Sequence, residues 1–134
     1  MPGFTPNEGE KLVADIIYKH DLTDRIADLE LGLFTNAAAD ETTTHAAITE
    51  PTGTGYARKT LIDASWTGGA DARAYAIQTF TAGAGGWTGT IYGYFICTKG
   101  ATKRLLHVEI DTATGPFTMA ANDTYDVTPN NTVA

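Results

Sequence analysis

The stretch "GTIYGYFICT" (Gly89–Thr98) leaves almost no polar gap between its apolar and aromatic residues. A strand with one face in a core and the other in water alternates. Read as a strand, this one places Ile91, Phe95 and Cys97 on one side and Tyr92, Tyr94 and Ile96 on the other. Both faces therefore need cover. The stretch reads as a central strand, with Ile91 and Phe95 in a sandwich core. Tyr92 and Tyr94 then lie under an N-terminal helix or a second subunit. Gly93 between them weakens a strand and marks a close approach, expected from an aromatic ring on a neighbouring strand.

The covering helix is sought upstream. In "FTPNEGEKLVADIIYKHD", Thr5 and Glu8 have the spacing of a capping box and Pro6 stands at the first helical position. Leu12, Val13, Ile16 and Ile17 follow at helical spacing, which predicts a helix over residues 6–19 with one apolar stripe packed on the sheet. The rest reads as strands: "LELGLFT" (Leu29–Thr35), with Leu29, Leu31 and Leu33 on one face, then "YARKTLI" (Tyr56–Ile62), "ARAYAIQTFT" (Ala72–Thr81), "KRLLHVEI" (Lys103–Ile110) and "TYDVTPN" (Thr124–Asn130). Gly68-Gly69, Gly85-Gly86, Gly100 and Gly115-Pro116 punctuate them. The segment "AAADETTTHAAITEPTGTG" (Ala37–Gly55) is a long polar loop, a type usually functional or mobile. Short strands with glycine turns after one helix predict a mainly β fold, an antiparallel β-sandwich or jelly-roll-like domain. The chain reads as one domain, 1–134, with the sandwich over residues 29–130.

Composition bounds the function. The 134 residues suit one domain with a real core, and 43% hydrophobic against 19% charged residues describe a globular chain. A net charge of -7 repels phosphates, so no nucleic acid partner is expected. Cys97 is the only cysteine, so no intrachain disulfide forms, and its apolar setting predicts an inert buried thiol. The N-terminus carries no basic region followed by an apolar run, and no stretch approaches ~20 apolar residues. Neither a signal peptide nor a membrane span is expected, and synthesis is placed in the cytoplasm.

A search for chemistry finds little. His20, His45 and His107 lie in separate segments without ligand spacing. Asp40 and Glu41 lack a calcium-loop pattern. Ser65, the sole serine, has no nucleophile-elbow motif. Glu10, Asp15, Glu30, Glu50 and Glu109 would make a carboxylate pair only through folding. The glycine-rich "GTGYARK" and "TAGAGGWTGT" fit no phosphate loop. No catalytic, metal or cofactor residue is assigned. Trp66 and Trp87 flank glycine turns and read as caps on the end of a sandwich, or, if exposed, as platforms for a sugar.

Four segments together carry a resemblance: "LGLFTN" (Leu31–Asn36), "GYARKTL" (Gly55–Leu61), "IQTFTAGAGGWTGTIYGYFI" (Ile77–Ile96) and "FTMAANDTYDVTP" (Phe117–Pro129). Their order and content resemble a family of small tailed-phage virion proteins over most of Leu29–Pro129. The resemblance implies a capsid decoration or cement protein, a β-rich module without catalysis. It would bind the major capsid protein at the virion surface, with a homotrimer favoured. A tail or baseplate component and a carbohydrate- or receptor-binding module are the alternatives. Contacts are expected from Met1–Pro6, the Ala37–Thr54 loop and Thr128–Ala134. The candidate contact residues are Phe4, Asn36, His45, Thr52, Trp66, Trp87, Pro129 and Val133.

Overall fold

Alternating leucines make the first long strand. Leu29, Leu31 and Leu33 lie on one face of a strand at Leu29–Phe34 and are buried together. The computed structural model describes residues 3–23, 28–69 and 72–132. In chain order its elements are β1 (Gly3–Phe4), α1 (Asn7–Lys19), β2 (Leu29–Phe34), β3 (Lys59–Leu61), β4 (Ala72–Ala74), β5 (Gln78–Thr81), β6 (Gly93–Thr98), β7 (Leu105–Ile110), β8 (Thr124–Val127) and β9 (Asn130–Thr132). Single 3₁₀ turns occupy His45–Ala47 and Asp63–Ser65. The fold is mainly β and antiparallel, with one helix near the N-terminus.

Five strands form one sheet in the order β1-β7-β6-β2-β3. β6 is central: it pairs with β2 from Leu29↔Thr98 to Phe34↔Gly93 and with β7 on its other edge. A register shift interrupts the β6–β7 ladder between Ile96 and Cys97. The expected strand over Ala72–Thr81 is broken into β4 and β5, and Thr124–Asn130 into β8 and the start of β9. β4 pairs with β9 and β5 with β8. The two pairs are one ribbon with a bend, since the Tyr75 N–H still donates to the Pro129 carbonyl between them. Proline has no N–H to give a ladder, which is why the pairing breaks there.

Every residue of β6 is buried, so the strand is covered on both faces. The cover differs from the expectation. On one face Tyr94 and Ile96 join Leu29, Leu31 and Leu33 in a cluster closed by Phe80, Trp87, Met119 and Val127. On the other, Phe95 and Cys97 join Phe34, Leu105 and Val108, with Phe4, Ala39, Ile48 and Tyr92 packed against them. Ile91 belongs to the first cluster and Tyr92 to the second. The alternation therefore slips by one at Gly93, and Ile91 makes its own bridge to Phe117. This corrects the grouping of Ile91 with Phe95. Tyr94 lies under the β5–β8 layer rather than under the helix. Gly93 is pressed not by an aromatic ring but by the β7 backbone, where a side chain would overlap the Glu109 carbonyl.

α1 lies along β7, with Gly9 against the backbone of Leu105 and Leu106 and Leu12 buried. Its stripe is only partly used. Ile16 is half-buried, whereas Val13 is 48% and Ile17 69% exposed. The capping box does not form: the cap residue is Pro6, without a side-chain cap hydrogen bond. The Glu8 carboxylate instead accepts from the backbone N–H groups of His45 and Leu105, tying helix, loop and sheet together.

Both described ends are built into the fold. β1 pairs with β7, Pro6 is fully buried, and β9 pairs with β4. Each of these strands pairs on one side only, β1 at the edge of the five-stranded sheet and β9 in a two-stranded pair, so each keeps an outer edge.

Candidate functional site

The residues expected to make contacts do not form one patch. Phe4 packs under the sheet beside Val108, its partner in β7. Asn36 ties its own loop, its Oδ1 accepting from the Thr49 N–H and its Nδ2 donating to the Ala47 carbonyl. His45 opens the first 3₁₀ turn and is half-buried. Thr52 is exposed and bridges to Thr88. Trp66 is half-buried edge-on to Tyr75, 5.3 Å between centroids. Trp87 is 7% exposed, packed edge-on to Tyr56, and its Nε1 donates to the Thr54 carbonyl. Pro129 is buried. Trp87 thus offers no platform for a sugar, because the core takes it. Val133 lies outside the described residues.

Two carboxylates that sequence left apart, Glu30 and Glu50, meet at Arg58. The guanidinium reaches Glu50 Oε2 at 2.8 Å and Glu30 Oε1 at 3.4 Å, while Lys103 Nζ reaches Glu30 Oε1 at 2.6 Å. It also stands 5.1 Å over the Phe95 ring, and Tyr56 Oη donates to Glu50. Burial would raise the Glu30 carboxyl, but Lys103 and Arg58 outweigh it and hold it below the usual range. Burial pushes the neighbouring Cys97 thiol up to about 12, so it stays protonated and unreactive. This ion network is internally neutralised and works as a structural clamp between the loop and β2.

A second polar group is open to solvent. Between β7 with its following turn and the β8–β9 segment lies a cleft of about 300 Å³. Tyr94, Glu109, Asp111, Tyr125, Asp126 and Asn130 line it. Tyr94 Oη donates to Glu109 Oε2 at 2.6 Å and Tyr125 Oη to Asp111 Oδ2 at 2.7 Å. Thr79 Oγ1 donates to Asp126 Oδ1. Burial, then the carboxylate partner, raises the pKa of each tyrosine, so both phenols keep their protons. Behind the wall His107 is 2% exposed, neither ring nitrogen has a hydrogen-bond partner, and Nε2 lies 3.7 Å from Glu109 Oε2. Burial lowers the His107 pKa despite Glu109, which favours the neutral ring.

The sequence reading missed this cleft. Glu109 and Asp111 flank the end of one strand, and Tyr125 and Asp126 lie in another. Their convergence depends on how β8 packs beside β7, for which residue spacing gives no signal. Among the described residues no three His, Cys, Asp or Glu side chains are placed to hold a metal ion, and no helix is long and apolar enough to cross a membrane. Comparison with protein-family models, with curated proteins and with solved structures finds no match to this chain.

Proposed function

We propose that this chain is a structural virion protein that decorates a phage capsid, binding the major capsid protein as a homo-oligomer, a trimer being favoured. The observation that carries the reading is the outer face of α1. Val13 and Ile17 are exposed there, Tyr18 is 87% exposed, and Leu22 continues the apolar surface beyond the helix end. An apolar patch of this kind marks an interaction surface. The ordered set of segments that resembles small tailed-phage virion proteins supports the same reading. Weak contacts of this size hold when many copies act together on one lattice.

Fractionation of the virions separates head from tail. The protein is expected with heads, and its recovery with tails alone would place it in the tail or baseplate instead. The variant Ile17→Asp/Tyr18→Asp should keep the wild-type melting curve and lose binding to stripped heads. Retained binding would remove the helix face from the contact.

A further inference from the structure

His107 is buried without a hydrogen bond. Its side chain is 3% exposed, it lies within β7 opposite Ile96 of β6, and neither ring nitrogen has a partner among the described residues. A neutral imidazole has one N–H; an imidazolium has two and a full charge, and burying it unpaired is costly. Only Nε2 has a carboxylate near it, Glu109 Oε2 at 3.7 Å, and that oxygen already accepts from Tyr94 Oη at 2.6 Å. The other charged and titratable groups of the surrounding elements are committed elsewhere. In β8 Tyr125 donates to Asp111, in the turn after β7, and Asp126 accepts from Thr79. In β4 Arg73 donates to the Gly69 and Ala72 carbonyls, and β9 has no charged residue.

The Tyr94 hydroxyl also accepts from the N–H of Asn130, the first residue of β9, at 3.4 Å. One phenol thus joins the carboxylate beside His107 to the last described strand. β9 is three residues long, has β4 as its strand partner and follows Pro129, where the Tyr75 N–H bridges the bend of the ribbon. A short strand paired on one side is where local opening costs least. We propose that His107 is an acid-operated catch: when its ring takes up a proton, the β4–β9 end of the ribbon lifts from the sheet while the five-stranded sheet stays folded. Lifting frees Tyr94 Oη from Asn130 and admits water to a ring whose second N–H has no acceptor in the closed form. The direction follows from linkage. The open form binds the proton with the ordinary affinity of histidine, near pH 6.5, and burial makes the closed form bind it less well. Closure is therefore favoured above that pH and is lost as pH falls below it. The inference does not rest on the capsid reading.

The test is amide hydrogen exchange of the isolated chain by NMR between pH 7.5 and 5.0, corrected for the intrinsic pH dependence of exchange, with the His107 ring followed in the same samples. Protection of the Asn130 and Tyr75 amides is expected to fall about tenfold by pH 5.5. The Tyr92 amide, bonded to the Phe34 carbonyl of β2, should keep its protection. His107→Phe, which leaves His20 and His45 in place, should hold Asn130 protection constant across the range. A fall of equal size at Tyr92, no fall at Asn130, or the same fall in His107→Phe would each overturn the proposal. So would a His107 ring that titrates at or above pH 6.5 in the unaltered chain, a readout that needs no variant.

Discussion

Gly32 stands opposite Phe95 across the β2–β6 pair, and Gly93 stands opposite Phe34. The two glycines are present for different reasons. At Gly32 a methyl group would overlap the tip of the Phe95 ring; at Gly93 it would overlap the Glu109 carbonyl. A ring can be shortened but a backbone cannot. Gly32→Ala is expected to cost about 1–3 kcal/mol, as overpacking does, and the cost should shrink in a Phe95→Leu background. Gly93→Ala should cost more and find no such rescue in the same Phe95→Leu background; urea midpoints of the single and double variants decide this. Phe95→Ala itself should cost about 3–5 kcal/mol. Buried His107 and half-buried His45 set a pH response. Burial lowers the His45 and His107 pKa values from 6.5. The unfolded chain then binds those protons more readily, so stability should fall as pH drops below about 6.5, with a further loss below 4.5 as Glu30 titrates. His107→Phe should flatten the first step in pH-dependent melts; an unchanged first step would show that His107 does not contribute.

Among the elements, α1 shows what periodicity can and cannot tell. The spacing of Leu12, Val13, Ile16 and Ile17 finds the helix to within a residue of its start, but only Gly9 and Leu12 are buried. The reason is that β7 offers the helix a narrow line of contact, and the loop with Ala39 and Ile48 takes the rest of that sheet face. Leu12→Ala should therefore cost about 2–4 kcal/mol, and Ile17→Ser should stay within about 0.5 kcal/mol in the isolated chain. Glu8→Ala should expose the Leu105 and His45 amides to hydrogen exchange while leaving mid-helix amides protected. Retained protection at Leu105 would mean that the carboxylate is not its anchor. The strands were legible where alternation runs clean, as in Leu29–Leu33. They were not legible where a single stretch of sequence bends across two pairings, as at Tyr75–Ile77 opposite Pro129. The cleft was invisible for a related reason: its carboxylates belong to different strands and meet only through packing.

At the scale of the whole molecule, β1 pairs with β7 and β4 with β9, so the described N- and C-terminal strands are part of the architecture. Removing residues 1–5 or 128–134 should lower the melting temperature of the isolated chain by several degrees, since about 1 kcal/mol shifts a domain of this size by roughly 3–5 °C. Unchanged melting of either truncation would show that its strand pairing contributes nothing. The bent ribbon has a further consequence, for synthesis. β4 and β5 leave the ribosome long before β9 and β8, their strand partners among the described residues, exist. Likewise β2 must wait for β6 and β1 for β7. A nascent chain cannot complete any of these pairings early, and closure over such separations is slow. The chain is therefore expected to emerge with Phe34 and Phe80 uncovered until β6 and β8 follow, the interval in which nascent copies are most exposed to mispairing with one another.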